Sequence, residues 1–293
     1  MLPSMKGRLP DFLAVGPPRT GTTWLHGVLT GHVGLPSGIK ETQFFAWNYE
    51  LGLEWYLSYF REASPHLPLG EIAPTYFDHP QARTRIAEII PECRIICSLR
   101  DPIERVYSQY KAWRRAGLVE GPFDYEAQRT RLAASASYAS NLRAWLSMFD
   151  ASNVLVTLYD DLRADPQAYI NSICGFIGIP RIDLSGSPRA ADPVNRSEEE
   201  PRSMMLARQI RKVRDLLIRR RWRLARLLEA GSPLWNLFFT GGKPYPPLDS
   251  AVDRRLRELL LPEIEDLESV LGRDLSAWKL PSSKGGERLA ARL

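Results

Sequence analysis

Glycines, hydroxyls and one arginine are closely spaced in the run Gly16-Pro-Pro-Arg19-Thr20-Gly21-Thr22-Thr23-Trp24-Leu25. Apolar residues 12–15 before it predict a short buried strand, and a helical pattern begins near Trp24. The run therefore predicts a loop between a strand and a helix. Backbone N–H groups of such a loop, at the positive end of a helix, bind phosphate and other anions.

The cation of this loop is not where an ATPase has it. Gly16, Gly21 and Thr23 fit the ATPase phosphate loop, but Thr22 stands at the position of its lysine. Arg19, inside the loop, is its only cation. A kinase or ATPase also needs a carboxylate at a strand end to hold Mg²⁺. We therefore expect a different anionic ligand, and the kinase or ATPase is kept as a distant alternative.

A second phosphate-binding pair follows the apolar strand expected at 94–99. Arg100 comes directly after that strand, and Ser108 lies eight residues later on a helix expected to begin near Pro102. Arginine gives a phosphate charge and paired donors, and serine adds a neutral donor. Taken alone, Arg100 could equally pair with Asp101, and Ser108 could be an incidental surface residue.

Together the two stretches resemble the signatures of sulfotransferases that use 3′-phosphoadenosine-5′-phosphosulfate (PAPS). The first is similar to their 5′-phosphosulfate loop, and 99–108 is similar to their 3′-phosphate segment. The resemblance implies that PAPS is bound by these residues: Arg19, Thr20, Gly21, Thr22, Thr23, Trp24, Arg100, Ser108, Tyr159, Gly242 and Lys243. Trp24 and Tyr159 are the candidate adenine contacts, with core packing as the equal alternative for each.

The resemblance extends to the branch that contains heparan sulfate O- and N-sulfotransferases and bacterial relatives. Lys40-Glu41-Thr42-Gln43-Phe44-Phe45 is similar to its Glu-x-His-Phe-Phe segment, and 71–77 to its Glu-Lys-x-Pro-x-Tyr-Phe segment. Residues 241–249 resemble its glycine-rich loop over the 3′-phosphate. The resemblance covers about residues 11–280, which implies a single sulfotransferase domain over 1–293.

The reaction implied is transfer of a sulfuryl group from PAPS to a hydroxyl, or less readily an amine, giving 3′-phosphoadenosine-5′-phosphate (PAP). In-line geometry and donors on the sulfuryl oxygens suffice, so no metal is required. Glu41 is the candidate general base, with a surface pair with Lys40 as the alternative. Arg19 would stabilise the leaving phosphate, with a structural cap of the loop as the alternative.

Two departures from the branch bear on the acceptor. Ile72 stands where relatives have lysine, and Gln43 stands where they often have histidine. Lys40 is the candidate replacement for the missing cation, and Tyr76 and His79 are further candidate acceptor contacts. We therefore expect a small-molecule, lipid or natural-product hydroxyl as the acceptor, and keep a glycan as the alternative.

The order of elements predicts an α/β fold of three layers, P-loop-like, with a central, mainly parallel sheet flanked by helices. Strands are expected at 12–15, 94–99 and 154–158, and helices near 23–30, 52–61, 83–90, 103–116, 135–149, 166–177 and 249–271. Loops rich in glycine, proline and serine are expected at 184–201 and 240–247. The tail 281–293 is expected to be flexible.

The formal net charge of +5 comes from one segment. Residues 202–226 contain nine arginines and Lys212 against Asp215 alone, and apolar residues recur at helical spacing over 202–228. This predicts a basic amphipathic helical segment. A solvated face is the first interpretation; binding to an acidic acceptor, a carrier protein or an anionic surface is the second.

Composition leaves a few broad classes. The chain has 293 residues, 44% hydrophobic and 25% charged, as soluble globular proteins have. No apolar run has the length of a membrane span, and the first residues lack the apolar core of a signal peptide, so a cytoplasmic protein is expected. A basic surface-binding protein without enzymatic activity is the remaining alternative; nucleic acid as a partner is disfavoured, since neither phosphate motif would be explained.

Overall fold

The computed structural model describes residues 7–123, 135–186, 199–219, 239 and 241–280. The chain divides into two compact units. Their described residues are 7–102, 135–186 and 260–278 in the first unit, and 103–123, 199–219, 239, 241–259, 279 and 280 in the second. The tail 281–293, for which flexibility is expected, lies outside the described residues, and the single sulfotransferase domain stays a prediction.

Helices and strands alternate through most of the described chain. In chain order they are β1 Phe12–Ala14, α1 Thr22–Leu29, α2 Leu53–Leu57, β2 Gly70–Ile72, α3 Pro80–Ile89, β3 Arg94–Leu99, α4 Pro102–Arg115, α5 Tyr138–Leu146, β4 Val154–Leu158, α6 Tyr159–Ala164, α7 Pro166–Ile177, β5 Glu199–Pro201, α8 Met204–Arg219, β6 Gly241–Pro244, α9 Ser250–Leu271 and α10 Ser276–Lys279.

The first unit is built on a parallel four-stranded sheet in the order β2-β1-β3-β4. Phe12 pairs with Gly70 on one side and with Arg94 on the other, and Ile95 pairs with Val154. Helices flank this sheet, so the predicted α/β fold is confirmed. Because β2 lies on one side of β1 and β3 on the other, the loops after β1 and β3 diverge at a switch point, where α/β proteins bind ligands.

The two faces of the sheet are covered differently. On one face, β1, β2 and β3 pack against α1, α6 and α7 in one apolar cluster, which includes Trp24, Leu25, Ile72, Ile96, Tyr159, Leu162, Ile170 and Ile173. On the other face Glu71, the central residue of β2, is fully buried. A carboxylate without solvent needs several donors, and those donors form part of the candidate site.

Gly16, two residues after the end of β1, allows a close approach between two strand ends. A Cβ atom on Gly16 would lie 2.4 Å from both the backbone N and O of Ser98 in β3. Backbone atoms cannot move aside as a side chain can. A larger residue here would therefore push the phosphate loop away from β3.

Gly16→Ala is expected to lower the free energy of unfolding by about 1–3 kcal/mol, because the new methyl group overlaps the β3 backbone. The matched control is Gly175→Ala in α7, where an added Cβ meets nothing within 4 Å and helix propensity favours alanine by about 0.5–1 kcal/mol. Thermal melting of both variants measures the difference. Equal melting temperatures would contradict the close approach.

The second unit has a short antiparallel pair, β5 and β6, at positions where the glycine- and proline-rich composition predicts loops. Helix α8 begins within the predicted basic segment, and its Ala207 is buried against Phe239. The predicted helical region after residue 219 lies mainly outside the described residues. Within the described parts of the chain, no helix has both the length and the apolar character needed to cross a membrane.

Candidate active site

The loop between β1 and α1 is bent sharply before the helix starts. Gly21 caps α1 with φ 91°, and Arg19 has φ 76°, a left-handed conformation uncommon for a residue with a side chain. The Thr20 hydroxyl donates to the carbonyl of Pro17 at 2.8 Å. The first backbone N–H groups of a helix have no carbonyl one turn earlier to bond. Thr22 and Thr23 are the first residues of α1, where backbone N–H groups favour an anion. Anion binding here stays a prediction.

Arg100 joins the β3 end to this loop. Its Nη1 donates to the carbonyl oxygen of Arg19 at 3.4 Å. Its guanidinium lies over the ring of Tyr159, 4.5 Å from the ring centre, and a Cβ on Gly21 would be 3.3 Å from the same ring. The first phosphate motif and the arginine of the second are thus brought together at the switch point.

The two candidate adenine contacts are inside the protein. Tyr159 is 4% exposed and Trp24 is 7% exposed. The Trp24 ring meets Tyr169 edge-on, with 5.9 Å between ring centres. Core packing, the alternative for both, describes these contacts, and Tyr159 also supports the Arg100 guanidinium. Their adenine contacts stay predictions.

Glu41 lies within a short hydrogen-bond chain that reaches the phosphate loop. Lys40 Nζ donates to Glu41 Oε1 at 2.8 Å and to the Thr23 hydroxyl at 3.4 Å. Gln43 Nε2 donates to Glu41 Oε2 at 2.8 Å, and the Thr75 hydroxyl donates to Gln43 Oε1. Both oxygens of the candidate base are thus oriented, and Lys40 links that base to the helix that would hold the donor.

Glu71 anchors the segment that carries Glu41. Its carboxylate accepts hydrogen bonds from the Thr42 backbone N–H at 2.6 Å and hydroxyl at 2.7 Å, from Tyr56 at 3.1 Å and from Tyr76 at 3.2 Å. Burial raises the pKa of Glu71 to about 6, although these hydrogen bonds oppose the rise. The Tyr76 hydroxyl also accepts from the Phe45 N–H at 3.3 Å. Tyr76 is fully buried, which speaks against its predicted acceptor contact.

Glu71 also makes the stability of the protein depend on pH. A folded-state pKa of about 6, above the usual 4.5, means that the folded state binds the proton more tightly than the unfolded state. The protonated Glu71 carboxyl contributes fully to the free energy of unfolding below pH 4.5. This contribution, about 2 kcal/mol, is lost as the pH rises through 6.

From pH 4.5 to pH 7 the wild type is expected to lose about 2 kcal/mol of its free energy of unfolding through Glu71. Glutamine does not titrate, so the free energy of unfolding of Glu71→Gln, relative to the wild type, should rise by that amount over the same range. Urea unfolding of both proteins across this pH range measures the difference. If the free energy of unfolding of Glu71→Gln, relative to the wild type, stayed constant or fell as the pH rose, the raised pKa of Glu71 would be contradicted.

His79 and Ile72 both have structural roles, one as a helix cap and the other in the core. His79 caps α3, its Nδ1 accepting from the Ala82 backbone N–H at 3.2 Å. Burial, and then the charge of Arg85, lower the pKa of His79. Ile72 is fully buried in the apolar cluster against α1, so the position of the missing lysine belongs to the core.

Ser108, Gly242 and Lys243 lie in the second unit. Ser108 is on α4, and Gly242 and Lys243 are in β6. Gly242 fits closely against β5, since a Cβ would lie 2.5 Å from the carbonyl oxygen of Glu200, and Lys243 is exposed. Their predicted contacts with the donor stay predictions.

In the described ranges, no three histidine, cysteine, aspartate or glutamate side chains come together as a metal site needs. Transfer without a metal stays a prediction.

Sequence reasoning missed the roles of Thr42, Tyr56 and Glu71. Their contacts join residues 29 and 15 positions apart, and no local periodicity announces such pairs. The weak signal in the sequence was Glu71 itself, a glutamate just before the apolar Ile72 in the 71–77 segment that resembles a sulfotransferase motif.

The sequence of this chain matches a known protein family. The profile described as a sulfotransferase domain matches residues 9–194. The chain is 32% identical over 197 residues to human bifunctional heparan sulfate N-deacetylase/N-sulfotransferase 2, covering 59% of this chain and 22% of that protein. It is 30% identical over 195 residues to the Caenorhabditis elegans bifunctional heparan sulfate N-deacetylase/N-sulfotransferase 1, covering 60% and 23%.

A solved structure agrees in fold. The sulfotransferase from Alicyclobacillus acidocaldarius superimposes with a TM-score of 0.66 at 19% identity, covering 93% of this chain and all of that one. The aligned part of this chain spans about a fifth of the two curated relatives. Since the family profile covers more than half of the chain, the protein belongs to the sulfotransferase family of PAPS-dependent enzymes.

Proposed function

We propose that this protein transfers the sulfuryl group of PAPS to a glycan acceptor. One observation carries the proposal: Lys40 Nζ contacts both the Glu41 carboxylate and the Thr23 hydroxyl of the phosphate loop. A candidate base and a candidate donor loop are therefore joined by one ammonium group. Transfer chemistry needs this adjacency, and a protein that only binds phosphate does not.

The residues of the loop suit the donor. A helix N-terminus preceded by Arg19 offers backbone donors and one cation to the phosphosulfate. Arg100, held beside the loop by its contact with the Arg19 carbonyl, offers a guanidinium to the 3′-phosphate. These are the groups that the resemblance assigns to PAPS.

The chemistry follows from these positions. The acceptor atom forms a bond to sulfur as the bond from sulfur to the phosphate oxygen breaks, and Glu41 takes the proton of the acceptor. Arg19 stabilises the negative charge that grows on the leaving phosphate, and PAP departs. Lys40 offsets the charge of the sulfuryl oxygens and also keeps Glu41 oriented.

The relatives favour a glycan acceptor over the small-molecule or lipid hydroxyl that the sequence alone favours. The names of the two curated relatives describe N-sulfotransferases of heparan sulfate, in which the acceptor is an amine of a polysaccharide. Ile72 stands where relatives have a lysine, but Lys40 supplies a cation near the candidate base. An amine or hydroxyl of an anionic glycan is therefore our proposal. Carrier-protein or anionic-surface binding through 202–226, and a cytoplasmic location, stay predictions.

Transfer of ³⁵S from labelled PAPS tests the proposal. Three acceptors would be compared: a heparosan-type oligosaccharide with free amines, its N-acetylated counterpart, and a simple phenol. We expect label in a saccharide, with one PAP released for each group transferred. Label in the phenol alone would overturn the glycan acceptor but would support the sulfotransferase activity. No label in any acceptor, together with no binding of PAPS, would overturn the sulfotransferase activity itself.

A further inference from the structure

Trp47 presents an indole to solvent six residues after the candidate base. Its side chain is 63% exposed, whereas Trp24, Trp145 and Trp278 are each 7% exposed or less. Leaving so large an apolar surface in water forgoes the stabilisation that burial would give. An exposed indole in the segment that carries the candidate base offers an apolar surface on which a ring of a ligand can pack.

The turn that carries Trp47 is held firmly. Its backbone N–H donates to the carbonyl of Gln43 at 3.0 Å, the residue that orients Glu41. Arg85 Nη1 donates to the carbonyls of Phe45 at 2.7 Å and Ala46 at 3.1 Å. Phe45 is itself fully buried. The backbone that carries the indole therefore has a fixed position relative to the Glu41 segment.

One polar ring contacts this indole, and a guanidinium holds the turn that carries it. The His79 ring meets Trp47 edge-on, with 5.9 Å between ring centres. Because His79 Nδ1 accepts a backbone hydrogen bond, its neutral ring carries the proton on Nε2 and can donate it. Arg85, which holds the turn, also has its guanidinium 4.1 Å from the centre of the Tyr49 ring. A ring N–H thus lies beside the indole, and a guanidinium lies at the same turn.

We propose that Trp47 is the stacking platform for a pyranose ring of an anionic glycan acceptor. The proposal rests on the proposed function and names the part of the site that would hold the acceptor. One face of a pyranose carries mainly C–H groups, which pack on an indole, while its hydroxyls and carboxylates accept hydrogen bonds from groups such as His79 and Arg85. A flat aromatic acceptor would also stack on the indole, but it would leave these donors without acceptors.

Calorimetric binding of a heparosan-type hexasaccharide with free amines, measured on PAP-saturated protein, tests the platform. We compare the wild type with Trp47→Ala, with Trp47→Phe, and with Met148→Ala as a control at an exposed apolar residue of the same unit (43% exposed). Trp47→Ala is expected to bind the hexasaccharide about tenfold more weakly. Trp47→Phe should keep most of the affinity, and Met148→Ala should match the wild type.

PAP affinity and a second acceptor separate the outcomes. Equal hexasaccharide affinity in Trp47→Ala and the wild type, with PAP affinity intact, overturns the platform and leaves the proposed function standing. Binding of 2-naphthol, but not of the hexasaccharide, that is lost in Trp47→Ala overturns the glycan as occupant. No PAP binding by the wild type overturns the proposed function and the platform with it.

Discussion

Glu41→Gln is expected to lower kcat by about 10²–10⁴-fold, the range for loss of a general base. Glutamine keeps the size of the side chain and can still accept from Lys40, whose Nζ lies 2.8 Å from Glu41 Oε1. It cannot take the proton of the acceptor. The affinity for PAP should hardly change, since Glu41 reaches the phosphate loop only through Lys40.

PAP release under saturating PAPS and acceptor measures this effect. Glu50→Gln is the matched control, because Glu50 is an exposed carboxylate nine residues further along the same segment. A Glu41→Gln enzyme with more than about a tenth of the wild-type kcat would reject Glu41 as the base. It would favour the alternative in which Glu41 only pairs with Lys40.

Arg19→Ala is expected to lower kcat by about 10²–10³-fold, the cost of removing a donor from charge that develops in the transition state. Arg19 already has φ 76°, and alanine meets the same Cβ penalty there, so the change adds no new backbone strain. The Arg19 carbonyl that receives Arg100 is also retained. The loss should therefore report on the guanidinium itself.

Single-turnover PAP formation measures this second effect without interference from product release. Arg19→Lys should recover a substantial part of the rate, because a cation returns to the loop, and Arg61→Ala, at an exposed arginine of the same unit, should behave as the wild type. If Arg19→Ala raised KM and left kcat unchanged, the arginine would serve binding of the donor and would not stabilise the transition state.

The main sheet was predictable where its strands are apolar runs. β1, β3 and β4 lie at or within the predicted limits, since continuous apolar residues are the signature of buried parallel strands. β2 was missed because it has only three residues and its middle one is Glu71. β5 and β6 were missed because glycine and proline there indicate turns.

The candidate site was predictable as far as its motifs are local. Arg19 and Glu41 stand in recognisable runs, and their chemistry follows from residue type and spacing. The Lys40 contact with Thr23 joins residues 17 positions apart, so only the folded chain reveals it. The exposure of Trp47 was equally hidden, because aromatic residues cluster after Glu41 and most of such a cluster fills the core.

Calorimetry of PAP and of ATP with Mg²⁺, each titrated into the wild-type chain, tests the central claim most directly. PAP carries the 3′-phosphate that distinguishes the PAPS site, and ATP carries the γ-phosphate that a kinase or ATPase requires. We predict micromolar or tighter binding of PAP that ATP with Mg²⁺ does not displace. Preferential binding of ATP with Mg²⁺ would contradict the account and revive the kinase or ATPase.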